Sequence, residues 1–216
     1  MNPETMERID AILRQAPVVP VLAVADADDA IPLAETLVAA GLPVLEITLR
    51  TPAALEVIRR MRTVPGAIVG AGTVLTPADL AAVQDAGAAF AISPGGTDTL
   101  YTAAKTASIP LLPGIATASE LMRGLEHGWT RFKFFPAESS GGIPALKGFA
   151  GPFAHVKFCP TGGIDAAKAP GYLALPNVIT VGGSWMVPAD ALKAKDWGRI
   201  GELAQKVTAL RATNTP

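Results

Sequence analysis

Arg131-Phe132-Lys133-Phe134-Phe135-Pro136-Ala137-Glu138 is the stretch on which the fold turns. It predicts a short β-strand running into a loop. Strand side chains alternate sides, so Lys133 faces away from both Phe132 and Phe134. With those two phenylalanines packed against helices, Lys133 points into whatever the other face of the strand encloses. A buried ammonium is costly unless it is paired, or unless it loses its proton and becomes a nucleophile.

Outward from this strand the chain alternates strand and helix with short connections. Strands are expected near 18–24, 44–49, 68–72, 89–92, 111–115, 131–135, 155–159 and 178–182. The first, from Val18, is nearly all apolar, as a strand covered on both faces should be. A leading helix is expected over 4–15 from the spacing of Ile9, Ile12 and Leu13, ended by Pro17. Thr51-Pro52 and Thr76-Pro77 each place a capping residue before a first-turn proline, and Thr117-Ala118-Ser119-Glu120 fits a capping box. A final helix is expected from about Trp197 to Leu210. Eight strands alternating with helices predict a closed parallel (βα)8 TIM barrel with an extra N-terminal helix, one domain over residues 1–216. An open doubly wound sheet is the rival. It is weakened because Gly70-Ala71-Gly72 is followed by Leu75 where the dinucleotide fingerprint requires a third glycine.

Half of the 216 residues are apolar and 17% are charged, which predicts much buried surface and is compatible with an oligomer interface. A net charge of -1 gives no electrostatic case for nucleic acid, and no basic run marks a membrane surface. Small molecules are the expected partners. The polar, acidic start and the lack of a long apolar run predict a cytoplasmic protein. Cys159 is the single cysteine and His127 and His155 are the only histidines, so a Cys/His metal centre is not expected. Neither histidine is assigned a role. Asp26, Asp28 and Asp29 would suit a hard cation, but acidic residues opening a helix also favour its dipole, and that reading is preferred.

In a barrel of this kind, reactive groups sit at the carboxyl ends of the strands. In Val44-Leu45-Glu46-Ile47-Thr48-Leu49-Arg50, alternation puts Glu46, Thr48 and Arg50 on one face, and a parallel barrel offers that face no solvent. A neutral amine attacks a carbonyl to form an iminium, which accepts electrons as a carbon-carbon bond breaks or forms. Desolvation and a nearby cation such as Arg50 favour the neutral amine. Glu46 can carry protons, and Arg50 can hold a substrate carboxylate in a bidentate fork. Thr73, after the third strand, is a further candidate donor to a carboxylate. Taken alone, Lys133 and Glu46 equally admit an interior ion pair without turnover. Cys159-Pro160-Thr161-Gly162-Gly163-Ile164-Asp165 and Val181-Gly182-Gly183-Ser184-Trp185 follow the last two strands. Paired glycines there let backbone N–H groups approach an anion, and Ser184 adds a hydroxyl, so a phosphate site is the better reading. Ser139-Ser140-Gly141-Gly142 reads as an ordinary surface loop.

These residues closely resemble those of the 2-keto-3-deoxy-6-phosphogluconate (KDPG) aldolases, grouped with the 4-hydroxy-2-oxoglutarate (KHG) aldolases. The resemblance extends from Pro17-Val18-Val19-Pro20-Val21 through Leu45-Glu46-Ile47-Thr48-Leu49-Arg50-Thr51, Gly70-Ala71-Gly72-Thr73-Val74-Leu75, Ala91-Ile92-Ser93-Pro94-Gly95 and Phe132-Lys133-Phe134-Phe135-Pro136-Ala137-Glu138 to Gly182-Gly183-Ser184-Trp185. It implies a class I aldolase without metal or other cofactor, usually trimeric, that splits KDPG into pyruvate and glyceraldehyde 3-phosphate in the Entner-Doudoroff pathway. By the same resemblance Lys133 forms the Schiff base and Glu46 is the general acid/base. Arg50 and Thr73 hold the pyruvate carboxylate, while Gly162, Gly163 and Ser184 belong to the phosphate end.

Overall fold

The computed structural model describes residues 3–210, so both ends of the expected 1–216 domain lie outside the described residues. The chain is an α/β fold in which every strand pairing is parallel. The strands are β1 (Val18–Leu22), β2 (Val44–Thr48), β3 (Ile68–Gly72), β4 (Ala91–Ile92), β5 (Leu111–Leu112), β6 (Gly114–Ile115), β7 (Arg131–Phe134), β8 (Lys157–Pro160) and β9 (Val181–Gly183). One hydrogen-bonded ladder runs β5-β4-β3-β2-β1-β9 and a second runs β6-β7-β8. β5 and β6 were expected as one strand. Pro113 lies between them and has no N–H to give a ladder, so the regular pairing breaks there.

Alternation along the strands sorts the core into two parts. Leu45, Ile47, Phe132 and Phe134 belong to the larger cluster, which includes Leu33, Leu37, Val57, Ile58 and Leu121 of the covering helices. Val19, Val44, Ile92, Leu112 and Cys159 form a smaller cluster on the opposite face of the sheet. That cluster also contains Ile9 and Leu13 of the leading helix, Pro3–Leu13, which therefore caps the enclosed face. Asp10 on this helix accepts both Nε (2.6 Å) and Nη2 (2.8 Å) of Arg131, tying the cap to the strand that carries Lys133. Among the described residues, no helix is long and apolar enough to cross a membrane.

Two of the expected helix starts occur as read, with reciprocal capping boxes between Thr76 and Asp79 and between Thr117 and Glu120. Thr51 does not cap. Its hydroxyl donates to the carbonyl of Val24 at 2.7 Å, and the following helix starts later, at Ala54–Met61. The hydroxyl thus ties together the loops after β1 and β2 instead of accepting a helix N–H. Residues 139–142 are also more regular than a surface loop, because Glu138–Ser140 is a 3₁₀ turn and Gly142 opens the helix Gly142–Ala150.

Candidate active site

Lys133 and Glu46 come from different ladders and meet across the enclosed face, Lys133 Nζ lying 3.0 Å from Glu46 Oε1. They are 6% and 1% exposed. A curved sheet is required for β7 and β2 to face one another in this way. Register explains the neighbours: Lys133 lies beside Gly114 on β6 and Cys159 on β8, while Glu46 lies between Val21 on β1 and Gly70 on β3. A Cβ at Gly72 would collide with the Glu46 carboxylate, so the glycine on β3 makes the carboxylate's room. The Phe135 ring centroid lies 5.2 Å from Lys133 Nζ, within range of a cation-π contact. Burial raises the Cys159 thiol to about 12, so it stays neutral beside the pair.

Arg50 is placed differently from the expectation. β2 ends at Thr48, so Arg50 sits in the turn beyond rather than on the strand. Its Nε donates to Thr48 Oγ1 at 3.0 Å, and Thr48 in turn donates to the Leu22 carbonyl at 2.8 Å. Thr48 therefore aims the guanidinium from below. Thr73, directly after β3, adopts φ 62°, a left-handed conformation rarely taken by a β-branched residue and costing about 1–3 kcal/mol. Such strain is retained where surrounding structure fixes it, and the Val74 N–H bond to the Ile92 carbonyl (3.1 Å) supplies part of that hold.

Gly162 and Gly163 follow β8 with φ values of 106° and 75°, which is why glycine stands at both. Ser184 follows β9 and is exposed. Arg50 and Ser184 share the wall of a cavity of about 730 Å³ with Asp26, Asp29, Trp185 and Lys195. Lys133 and Glu46 do not line it; they fill the interior beside it. The closed Lys133–Glu46 contact, rather than the size of this neighbouring space, is the better guide to the chemistry.

The acidic trio is occupied by cations of the chain itself. Asp28 meets Arg60 at 2.6 Å, and Lys195 lies 2.8 Å from Asp29 and 3.5 Å from Asp26. Asp26 also accepts the Asp28 N–H (2.9 Å), capping a 3₁₀ turn at Ala27–Asp29. Among the described residues, no group of three or more His, Cys, Asp or Glu is placed to hold a metal ion. His127 contacts Asp98 at 3.0 Å and stacks on Tyr101.

Sequence reasoning passed over Glu138, Lys168 and Tyr172, which meet beneath the Gly162-Gly163 loop. The spacing of Lys168 and Tyr172, four apart, was the available signal that they share a helix face.

Comparison with known proteins agrees with this geometry. The family model described as KDPG and KHG aldolase matches residues 9–203. The KHG/KDPG aldolase of Escherichia coli K12 is 56% identical over 198 residues, covering 91% of this chain and 93% of the relative. The 2-dehydro-3-deoxy-phosphogluconate aldolase of Zymomonas mobilis is 52% identical over 206 residues, covering 95% and 98%. A Zymomonas mobilis KDPG aldolase crystal structure with 3-phosphoglycerate has a TM-score of 0.91 at 53% identity, covering 95% of this chain and 97% of the other. The Legionella pneumophila enzyme, with pyruvate captured as a covalent carbinolamine, has a TM-score of 0.90 at 50% identity, covering 92% and 97%. An interior lysine-carboxylate pair on two parallel strands, in a chain this similar over most of its length, leads to one conclusion: the chain belongs to the KDPG and KHG aldolase family.

Proposed function

We propose that this protein is a Schiff-base aldolase that cleaves KDPG to pyruvate and D-glyceraldehyde 3-phosphate, with a side activity on 4-hydroxy-2-oxoglutarate. The observation that carries the reading is the 3.0 Å contact between Lys133 and Glu46. Across that hydrogen bond Glu46 takes the lysine proton as substrate enters, and the free amine attacks the C2 keto carbon. Glu46 returns that proton to the carbinolamine hydroxyl, which leaves as water to give an iminium with Glu46 again a carboxylate. Glu46 then accepts the C4 hydroxyl proton, directly or through water; the C3–C4 bond breaks, its electrons form the enamine, and the aldehyde leaves. Protonation at C3 and hydrolysis release pyruvate and restore the amine. The iminium is itself the electron sink, so this route requires neither metal nor other cofactor.

In this reading Arg50 and Thr73 bind the carboxylate, and Gly162, Gly163 and Ser184 bind the phosphate. The captured pyruvate of the Legionella enzyme and the 3-phosphoglycerate of the Zymomonas enzyme support a site with these two ends. We also propose that residues 1–216 form one domain, a closed (βα)8 barrel. In support, Pro113 alone separates β5 from β6, and single bridges pair Phe158 with Val178 and Thr161 with Gly182. A cytoplasmic homotrimer acting in the Entner-Doudoroff pathway completes the proposal, as the family resemblance implies. Purified protein should release pyruvate from KDPG at an undiminished rate after prolonged chelation. Ser184→Ala should lower kcat/KM mainly for phosphorylated substrate. Failure to release pyruvate from KDPG would reject the assignment.

A further inference from the structure

The proposed phosphate loop is held from behind by a network that the mechanism above does not use. The Ala137 N–H donates to the Thr161 carbonyl at 2.8 Å, and the Glu138 N–H to the Gly162 carbonyl at 3.1 Å. Lys168 Nζ donates to the Gly163 carbonyl at 3.0 Å. Three successive carbonyls are thus fixed. In a trans peptide the N–H points opposite to the C=O of the same plane. Holding the carbonyls of residues 161, 162 and 163 therefore aims the N–H groups of Gly162, Gly163 and Ile164 away from the network, the arrangement of an anion-binding concavity.

The first two supports are backbone; the third is a side chain with its own scaffold. Lys168 also pairs with Glu138 Oε2 at 2.7 Å, and the Tyr172 hydroxyl donates to Glu138 Oε1. Asp165 Oδ1 accepts the N–H groups of Ala167 and Lys168, each at 3.0 Å, and so fixes the turn from which Lys168 reaches back. The pairing with Lys168 holds Glu138 below the usual carboxylate range. Gly163 cannot supply this rigidity itself, because glycine has the greatest backbone freedom to lose.

We infer that Lys168, steadied by Glu138 and Tyr172, is a positioning residue that orients the Gly162-Gly163-Ile164 N–H groups toward the phosphate of the substrate. The inference rests on the reading of Gly162 and Gly163 as the phosphate end. It assigns part of the phosphorylated substrate's selection to side chains that do not touch the substrate. Lys168 is well exposed, so replacing it leaves the core intact.

The test compares Lys168→Met, Lys168→Arg, Tyr172→Phe and Gly163→Ala on KDPG and on 4-hydroxy-2-oxoglutarate. Deuterium exchange into pyruvate serves as a third readout that needs Lys133 but no phosphate. Lys168→Met should raise KM for KDPG about tenfold, the scale of one lost charged hydrogen bond, with kcat changed less than about twofold. Turnover of 4-hydroxy-2-oxoglutarate and pyruvate exchange should stay within about twofold of the parent on the same energetic scale. Lys168→Arg should recover most of the loss, and Tyr172→Phe should show a smaller loss in the same direction. An unchanged KM for KDPG, or an equal loss in all three readouts, would overturn the inference. Gly163→Ala separates the two levels, since its Cβ would meet the Glu138 side chain at 2.8 Å to Cγ. A loss selective for KDPG in Gly163→Ala but not in Lys168→Met rejects the positioning role alone. An equal loss on both substrates in Gly163→Ala rejects the phosphate reading, and the positioning role with it.

Discussion

Gly72 leaves open the space that the Glu46 carboxylate occupies, so a β3 glycine and a β2 acid are fitted to one another across neighbouring strands. Gly72→Ala should displace the carboxylate from Lys133 while leaving the outer core untouched. A shift of about 1 Å in a proton carrier is expected to lower kcat by about 100-fold. Steady-state kinetics together with a thermal melt check this. A variant of near-parental activity would show that the Glu46 position is not critical.

The Thr48 hydroxyl receives Arg50 Nε, which leaves the guanidinium's terminal nitrogens for a carboxylate. Arg50→Lys keeps the charge and loses the fork. The expected result is roughly a tenfold rise in the KM for KDPG and in the inhibition constant of pyruvate, the scale of one charged hydrogen bond. Competition assays with pyruvate measure it, and an unchanged constant would remove Arg50 from the carboxylate site.

Much of this arrangement was legible in the chain. Alternation alone put Lys133 and Glu46 on the enclosed face, because a strand covered by helices has only one other side. Alternation places Arg50 on the strand, but the ladder stops at Thr48, and periodicity does not report where pairing ends. The break at Pro113 was readable from its missing N–H; the use of Thr51 as a loop tie was not, since a hydroxyl before a helix serves either purpose. Glu138 and Lys168 lie thirty positions apart and join two loops, so no local pattern announces their contact.

Asp10 and Arg131 hold the leading helix against the enclosed face through two hydrogen bonds, each side chain being 19% exposed. Asp10→Ala leaves a partly buried guanidinium without its acid. The expected cost is about 2 kcal/mol, or a Tm lower by roughly 4–8 °C for a chain of this size. Differential scanning calorimetry tests this, and an unaltered Tm would mean that the helix is held without this ion pair, by the packing of Ile9 and Leu13 and by contacts such as that of Arg8 with the Ser108 carbonyl.

The buried Cys159 thiol is raised from 9.0 to about 12. The unfolded chain ionises its thiol first. The stability contributed by the neutral folded form is therefore fully present below pH 9 and is lost as pH rises toward 12. At pH 8 a thiol reagent should modify Cys159 only after unfolding in denaturant. Rapid labelling of the native protein would contradict its burial.

Lys133 is proposed here as an iminium-forming amine and not as half of an inert ion pair. Borohydride added in the presence of pyruvate tests it most directly, because reduction converts the iminium into a stable secondary amine. The expected result is irreversible loss of activity and a single adduct located on Lys133 by peptide mass spectrometry, absent from Lys133→Met. No adduct, or an adduct on another lysine with Lys133 unmodified, would contradict it.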